Sequence, residues 1–216
     1  MSRHVIVHVA VSVDGATTGF QPDVALFYDL AARWSEDITL AGADTILAQE
    51  PMLADAPMPG PAPEGALLAV VDGRRRVSSW EALRECGYWR EVVALRAGAS
   101  AEGGAAQGGE APREVFTAGE RVDLAAALDR LDGDVVRVDS GGGLNGALLR
   151  AGLVDEISLL VHPVIVGEHA TRWYGTAPAR ALEPIGSEQL NAGLTWLRYR
   201  TSSSDATDKS SMDTAQ

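Results

Sequence analysis

The stretch Val135-Val136-Arg137-Val138-Asp139-Ser140-Gly141-Gly142-Gly143-Leu144-Asn145-Gly146-Ala147-Leu148-Leu149 restricts the fold more than any other part of the chain. A valine-rich run ends in an acid, a glycine run follows, and Leu144, Leu148 and Leu149 then recur at helical spacing. That order predicts a buried strand, a tight turn and a short helix. Glycines allow a tight turn and let a ligand come close to the backbone. The helix start beyond them has unpaired N–H groups and partial positive charge, which suits a phosphate. Two readings stand at this point: a nucleotide pyrophosphate rests on Gly141, Gly142 and Gly143, or the glycines serve turn geometry alone.

Similar strand and helix signals recur along the chain. Val5 to Val13 reads as a strand ending at the turn signal Asp14-Gly15. Leu26, Phe27, Leu30, Ala31 and Trp34 give Val24 to Trp34 a helical period, with Pro22-Asp23 as a start signal. Ile38 to Ala41 is a short strand, and Ile46 to Gln49 is one or two helical turns closed by Pro51. Thr45 either caps that helix or touches a ligand phosphate. Pro57, Pro59, Pro61 and Pro63 make 54–64 a loop.

Leu67 to Val71 is apolar throughout, as in a strand buried on both faces. Asp72-Gly73-Arg74-Arg75-Arg76 follows it, either a solvated basic turn or a grip on an adenosine 2′-phosphate. Trp80 to Gly87 is a helix, Glu91 to Leu95 and Glu114 to Thr117 are strands, and Asp123 to Leu131 is a helix. The Gly- and Ala-rich stretch 97–112 reads as a flexible surface loop. Glu156 to Val166 is a strand whose His162-Pro163 implies a bulge or an edge position. Leu182 to Pro184 pairs briefly, and Leu190 to Tyr199 is the last strand. Residues 1–200 form one α/β domain with a mostly parallel sheet and an antiparallel C-terminal edge. Residues 201–216 are a disordered polar tail.

Composition excludes several classes. A net charge of -12 argues against a nucleic-acid or anionic-membrane binder and demands a local pocket for any phosphorylated ligand. The single cysteine, Cys86, allows no intrachain disulfide and reads as structural. No apolar run reaches the ~20 residues of a membrane span, and the start lacks a signal-peptide pattern, so a soluble cytoplasmic protein is expected. His4, His8, His162 and His169 are scattered without metal-ligand spacing. The Gly-x-Ser-x-Gly elbow, the Gly-x4-Gly-Lys-Ser/Thr loop and the Gly-x-Gly-x-x-Gly fingerprint are all missing.

Three stretches, in this order, resemble the reductase domain family of riboflavin biosynthesis. Val11-Ser12-Val13-Asp14-Gly15 is similar to its first-strand "S-hydrophobic-D-G". Ala41 to Leu53, with Gly42-Ala43-Asp44-Thr45 and Pro51, is similar to its "G-A-x-T" segment. Asp139 to Gly167 is similar to "E-G-G-x-x-L-N-x-x-L", then Gly152-Leu153-Val154-Asp155-Glu156 and Pro163-Val164-Ile165-Val166-Gly167. The chain departs from that pattern with Asp139 for Glu, Ser140 for the first Gly, Ala16-Thr17-Thr18 where Lys is frequent, and Gln49 for an acid.

The resemblance implies a three-layer dihydrofolate reductase-like fold. It implies an NADPH-dependent oxidoreductase that reduces a ribosylamino-pyrimidine 5′-phosphate to its ribitylamino form. Gly42, Thr45, Asp72, Arg74, Ser140, Gly141, Gly142, Gly143 and Leu144 would contact NADPH, and Asp14 and Asp139 would be catalytic. A homodimer is also implied, with no metal. The alternatives are a reductase of another heterocycle in secondary metabolism and a nucleotide-binding dimer without catalysis.

Overall fold

A computed structural model describes residues 3–98, 111–168 and 170–201. The expected loop at 97–112 falls largely, and the expected tail at 201–216 almost wholly, outside the described residues. Nine strands form one sheet: β1 (His4–Ser12), β2 (Ile38–Gly42), β3 (Ala66–Val71), β4 (Trp89–Ala97), β5 (Arg113–Thr117), β6 (Val135–Val138), β7 (Glu156–His162), β8 (Leu182–Gln189) and β9 (Thr195–Thr201). Their spatial order is β5-β4-β3-β2-β6-β1-β7-β9-β8. Every pairing from β5 to β7 is parallel, and β7–β9 and β8–β9 are antiparallel.

The helices are α1 (Val24–Ala31), α2 (Ala43–Ala54), α3 (Trp80–Glu85), α4 (Leu124–Leu128) and α5 (Gly142–Arg150). Alternation along each strand sorts them into layers. Leu67, Ala69, Val93 and Leu95 point to one face and pack with Leu128 of α4 and Leu148 of α5. Their neighbours Leu68, Val70, Val92 and Ala94 point to the other face and pack with Ile46 of α2 and Trp80 and Leu83 of α3. Phe27 of α1 packs against Leu160 and Leu194. With both faces covered the parallel strands read as unbroken apolar runs, as at Ala66–Val71.

This topology also makes the cleft. From β2 the chain moves outward through α2 to β3; from the adjacent β6 it moves the opposite way, through α5 to β7. Two neighbouring strands thus send their helices to opposite faces, and a crevice opens at their carboxyl ends.

Several expectations need correction, and the last strand starts at Thr195 instead of Leu190 because Asn191–Gly193 form a helical turn. Pro51 does not close the second helix but lies inside α2, which runs on to Ala54. Proline there forgoes its own backbone bond and crowds the preceding turn, which the exposed end of the helix tolerates, with Met52 71% accessible. Gly142 and Gly143 are already the first turn of α5, so the linking turn is shorter than the glycine run. The strand expected to run to Val166 stops at His162, leaving Pro163 beyond it, and β7 is interior rather than an edge. The brief pairing expected at 182–184 is a full eight-residue strand that forms the outer edge. Its sequence does not alternate because most of it is exposed, and an edge with a register shift at Pro184/Gly186 tolerates proline.

Candidate active site

A cleft of about 670 Å³ lies over the carboxyl ends of β1, β2 and β6. The first turns of α2 and α5 flank it, through Gly42, Asp44 and Thr45 on one side and Ser140 to Leu144 on the other. Both helices have a glycine N-cap, Gly42 and Gly141, and neither makes a side-chain capping bond. Their first-turn N–H groups are therefore left for water or a ligand. The two ends are tied together: Gly42 N–H donates to Ser140 Oγ at 3.2 Å, and Ser140 Oγ lies 3.2 Å from Thr45 Oγ1. A Cβ on residue 42 would come within 2.9 Å of that same Oγ, so Ser140 and Gly42 are matched.

The three glycines are not equivalent. A Cβ on Gly142 would meet the Arg172 carbonyl oxygen at 2.0 Å, and one on Gly146 would meet the Tyr174 carbonyl oxygen at 2.7 Å. Those two glycines let α5 lie against the 172–176 loop. Gly141 and Gly143 have nothing within 4 Å of an added Cβ, so open space in front of the helix end belongs to them. Asn145 completes the joint: its Nδ2 donates to the Ser140 carbonyl at 2.9 Å and the Trp173 carbonyl at 3.0 Å. Its buried Oδ1 accepts nothing among the described residues.

The two expected carboxylates part company. Asp139 lines the cleft at the end of β6. Its Oδ2 lies 3.3 Å from Arg137 and accepts from the Tyr28 hydroxyl at 3.3 Å. Arg137 is 3% exposed and pairs with Glu36 at 2.7 Å. Burial works against the Arg137 charge, but the Asp139 and Glu36 carboxylates outweigh it and the guanidinium stays cationic. Asp14 is not part of the cleft wall. It accepts from the Ser12 hydroxyl at 2.6 Å and from the Gly167 and Val166 N–H groups at 3.0 and 3.2 Å, and it pairs with Arg172 at 3.1 Å. The Ser12 bond first, then those N–H bonds, hold it well below the usual carboxylate range. Its visible work is to tie Val166, Gly167 and Arg172 to the end of β1.

The turn after β3 also divides. Asp72 is buried, pairs with buried Arg96 at 2.6 Å and accepts the Arg76 and Val77 N–H groups at 2.8 and 3.2 Å. It shapes the turn and does not line the cleft. Arg75, at φ 55°, reaches back to Glu114 at 2.8 Å. Arg74 is exposed and outside the cleft wall. Arg76, which the sequence did not single out, pairs with the cleft residue Asp44 at 2.7 Å.

His8 is buried at the cleft floor. Trp196 Nε1–H donates to Ser158 Oγ at 2.8 Å, leaving the Ser158 hydroxyl to donate to His8 Nδ1 at 2.9 Å. The remaining His8 N–H faces the Phe27 carbonyl at 2.9 Å. Every proton has one consistent place, with the imidazole neutral. Burial pushes the His8 pKa from 6.5 down to about 4. The folded state therefore binds this proton less well than the unfolded chain, and stability falls as pH drops from 6.5 towards 4. The loss attributable to His8 is about 3 kcal/mol. Urea melts at pH 7 and pH 4.5 on the unaltered protein and on His8→Gln should show a clearly smaller acid loss in the variant. Equal losses would mean that His8 is not the group responsible.

Among the described residues no group of three or more His, Cys, Asp or Glu is placed to hold a metal ion. Among them, too, no helix is long and apolar enough to cross a membrane.

The parallel sheet, the crevice at its reversal and the paired helix ends define an α/β protein with a ligand cleft at the carboxyl ends of its strands. The chain matches the model of the RibD C-terminal domain over residues 3–196, and it belongs to that family. It is thus a reductase of the riboflavin-pathway type, a pyridine-nucleotide-dependent oxidoreductase. A curated relative, the 2,5-diamino-6-ribosylamino-4(3H)-pyrimidinone 5′-phosphate reductase of Methanothermobacter thermautotrophicus, is 30% identical over 183 residues, 80% of this chain and 83% of that one. The fold is shared with a pyrimidine reductase-like protein of Corynebacterium diphtheriae (TM-score 0.65, 14% identity, 93% of this chain and 92% of that one). It is shared as well with the riboflavin biosynthesis reductase of Saccharomyces cerevisiae (TM-score 0.64, 14% identity, 93% and 90%).

Proposed function

We propose that this chain uses NADPH to reduce a ribosylamino-pyrimidine 5′-phosphate to the ribitylamino compound. The observation that carries the reading is the crevice between two uncapped helix ends with Asp139 beside them. The open space at Gly141 and Gly143 and the free N–H groups of α2 and α5 fit a dinucleotide pyrophosphate. NADPH, when bound, supplies the hydride; the protein supplies position and charge. Ser140 and Thr45 hold the two helix ends at a fixed spacing, and Leu144 closes the apolar side of the wall. Asp139 faces the sugar and favours the cationic imine that accepts the hydride. Asp14 acts at a distance, by fixing Val166, Gly167 and Arg172, the last of which is the neighbour of Thr171 at the rim.

The test is oxidation of NADPH with a panel of ribosylamino-pyrimidine phosphates and other heterocycles. Turnover with the former supports the reading. Turnover only with another heterocycle favours a relative in secondary metabolism, and binding without turnover favours a nucleotide-binding dimer. We read the chain as a cytoplasmic homodimer, with the exposed edge strand β8 available for isologous pairing.

Cofactor choice is read at the turn after β3. Arg74 is exposed and has no carboxylate partner among the described residues, so it can meet a 2′-phosphate, and Arg76 stands near it on Asp44. Replacing Arg74 by Ala should weaken NADPH about tenfold and NADH less than about twofold. Arg76→Ala is the companion variant. If both variants lose the two cofactors equally, or lose neither, the turn does not select phosphate.

A further inference from the structure

The Tyr28 hydroxyl is a part of the cleft that neither the motifs nor the family assignment uses. Proton accounting around Asp139 defines its role. Arg137 can only donate, and it lies 3.3 Å from Asp139 Oδ2. Tyr28 has one hydroxyl proton, and it too goes to Oδ2, at 3.3 Å. Behind them the buried Arg137 is fixed by Glu36 at 2.7 Å and sits with its guanidinium carbon 5.8 Å from the centre of the Tyr28 ring. Tyr28 and Asp139 both line the cleft. What they present is acceptor on acceptor: Asp139 Oδ1, which accepts no hydrogen bond among the described residues, and the lone pairs of Tyr28 Oη. Neither has a proton to offer, so a ligand must bring two O–H or N–H donors to this spot.

We propose that Tyr28 Oη and Asp139 Oδ1 form a two-acceptor subsite for neighbouring hydroxyls of the substrate's sugar. The inference rests on the proposed reductase reading, in which the reacting carbon is the sugar C1 and the hydroxyls beside it come next to Asp139. Burial first, and then the Asp139 charge, push the Tyr28 phenol up to about 12, so its proton stays on Oη throughout the neutral range. Tyr28 therefore rests as a neutral phenol. It selects a hydroxylated ligand and holds one carboxylate oxygen so that the other stays in the cleft. A site built to pair a hydroxyl discriminates strongly against a ligand that lacks it.

The experiment is Tyr28→Phe, which keeps a ring that is 45% exposed and removes only the oxygen. Steady-state kinetics are measured with the ribosylamino substrate and with its 2-deoxy and 3-deoxy counterparts, alongside thermal melts. The expected result is a KM raised about tenfold, the worth of one hydrogen bond, with kcat within about threefold and the melting temperature unchanged. Against one of the two deoxy substrates the unaltered enzyme should show the same loss, and Tyr28→Phe should add nothing further. A KM within about twofold, or an equal penalty on all three substrates, overturns the subsite while leaving the reductase standing. No turnover by the unaltered enzyme with any ribosylamino substrate overturns the reductase reading and the subsite with it.

Discussion

Asp139→Asn should lower turnover by about two orders of magnitude while NADPH affinity stays within about threefold. The substitution keeps size and shape and removes the charge. If Asp139 favours the cationic imine, its value lies in the transition state, and kcat falls more than binding. The competing account is structural. Capping of the following helix is not what the geometry shows, since the N-cap of α5 is Gly141 and no side chain caps it. A second structural account is real: Asp139 is a counter-ion of buried Arg137. Its loss leaves Glu36 as the remaining carboxylate partner, so some thermal stability should go with it. Steady-state kinetics, a cofactor titration and a melt on one preparation separate the accounts. Turnover within about threefold beside a lowered melting temperature would reduce Asp139 to a counter-ion, and the proposed electrostatic role would be wrong.

The layers of this fold were legible because a sheet covered on both faces leaves a continuous signal. Leu67 to Val71 and the Val135–Val138 run read as buried strands of a parallel sheet, and most of their side chains are buried. Of strand β8 only the start, Leu182 to Pro184, was legible, because an exposed edge has no face to mark. Helix α2 was cut short at Pro51 because proline is a local signal, and the packing of Ala43 and Ile46 on the sheet overrides it.

At the site, the sequence showed residue types and order but not direction. Asp14 and Asp139 both end strands, yet one turns to the Val166 and Gly167 N–H groups and the other to the cleft. Among the three arginines after β3, sequence alone offers no reason to separate Arg75, which reaches Glu114, from Arg76, which reaches Asp44. One signal was present and unused. Arg137 stands between valines in a core strand, and a cation buried there requires carboxylate partners nearby. Asking which ones would have led to Glu36, Asp139 and, from them, to Tyr28.

Substitutions along the glycine run should separate geometry from ligand binding. Gly142→Ala places a methyl 2.0 Å from the Arg172 carbonyl oxygen, and Gly175 presses on Gly142 from the same loop. Backbone cannot yield as a side-chain tip can, so α5 and the 172–176 loop must separate. The expected cost is at least about 3 kcal/mol of stability, with cofactor binding lost as a consequence. Gly143→Ala is the opposite case. The position is exposed, lies in the first turn of α5, and has nothing within 4 Å of an added Cβ. Alanine in place of helical glycine should stabilise the protein without cofactor by about 0.5–1 kcal/mol. If the pyrophosphate rests against this turn, the same methyl stands in its way, and NADPH affinity should fall about tenfold or more. A higher melting temperature beside weaker cofactor binding is a combination that simple damage to the fold cannot give. Gly143→Ala with NADPH affinity unchanged would mean that the glycine run serves only the packing of α5, and the pyrophosphate would have to be sought along α2.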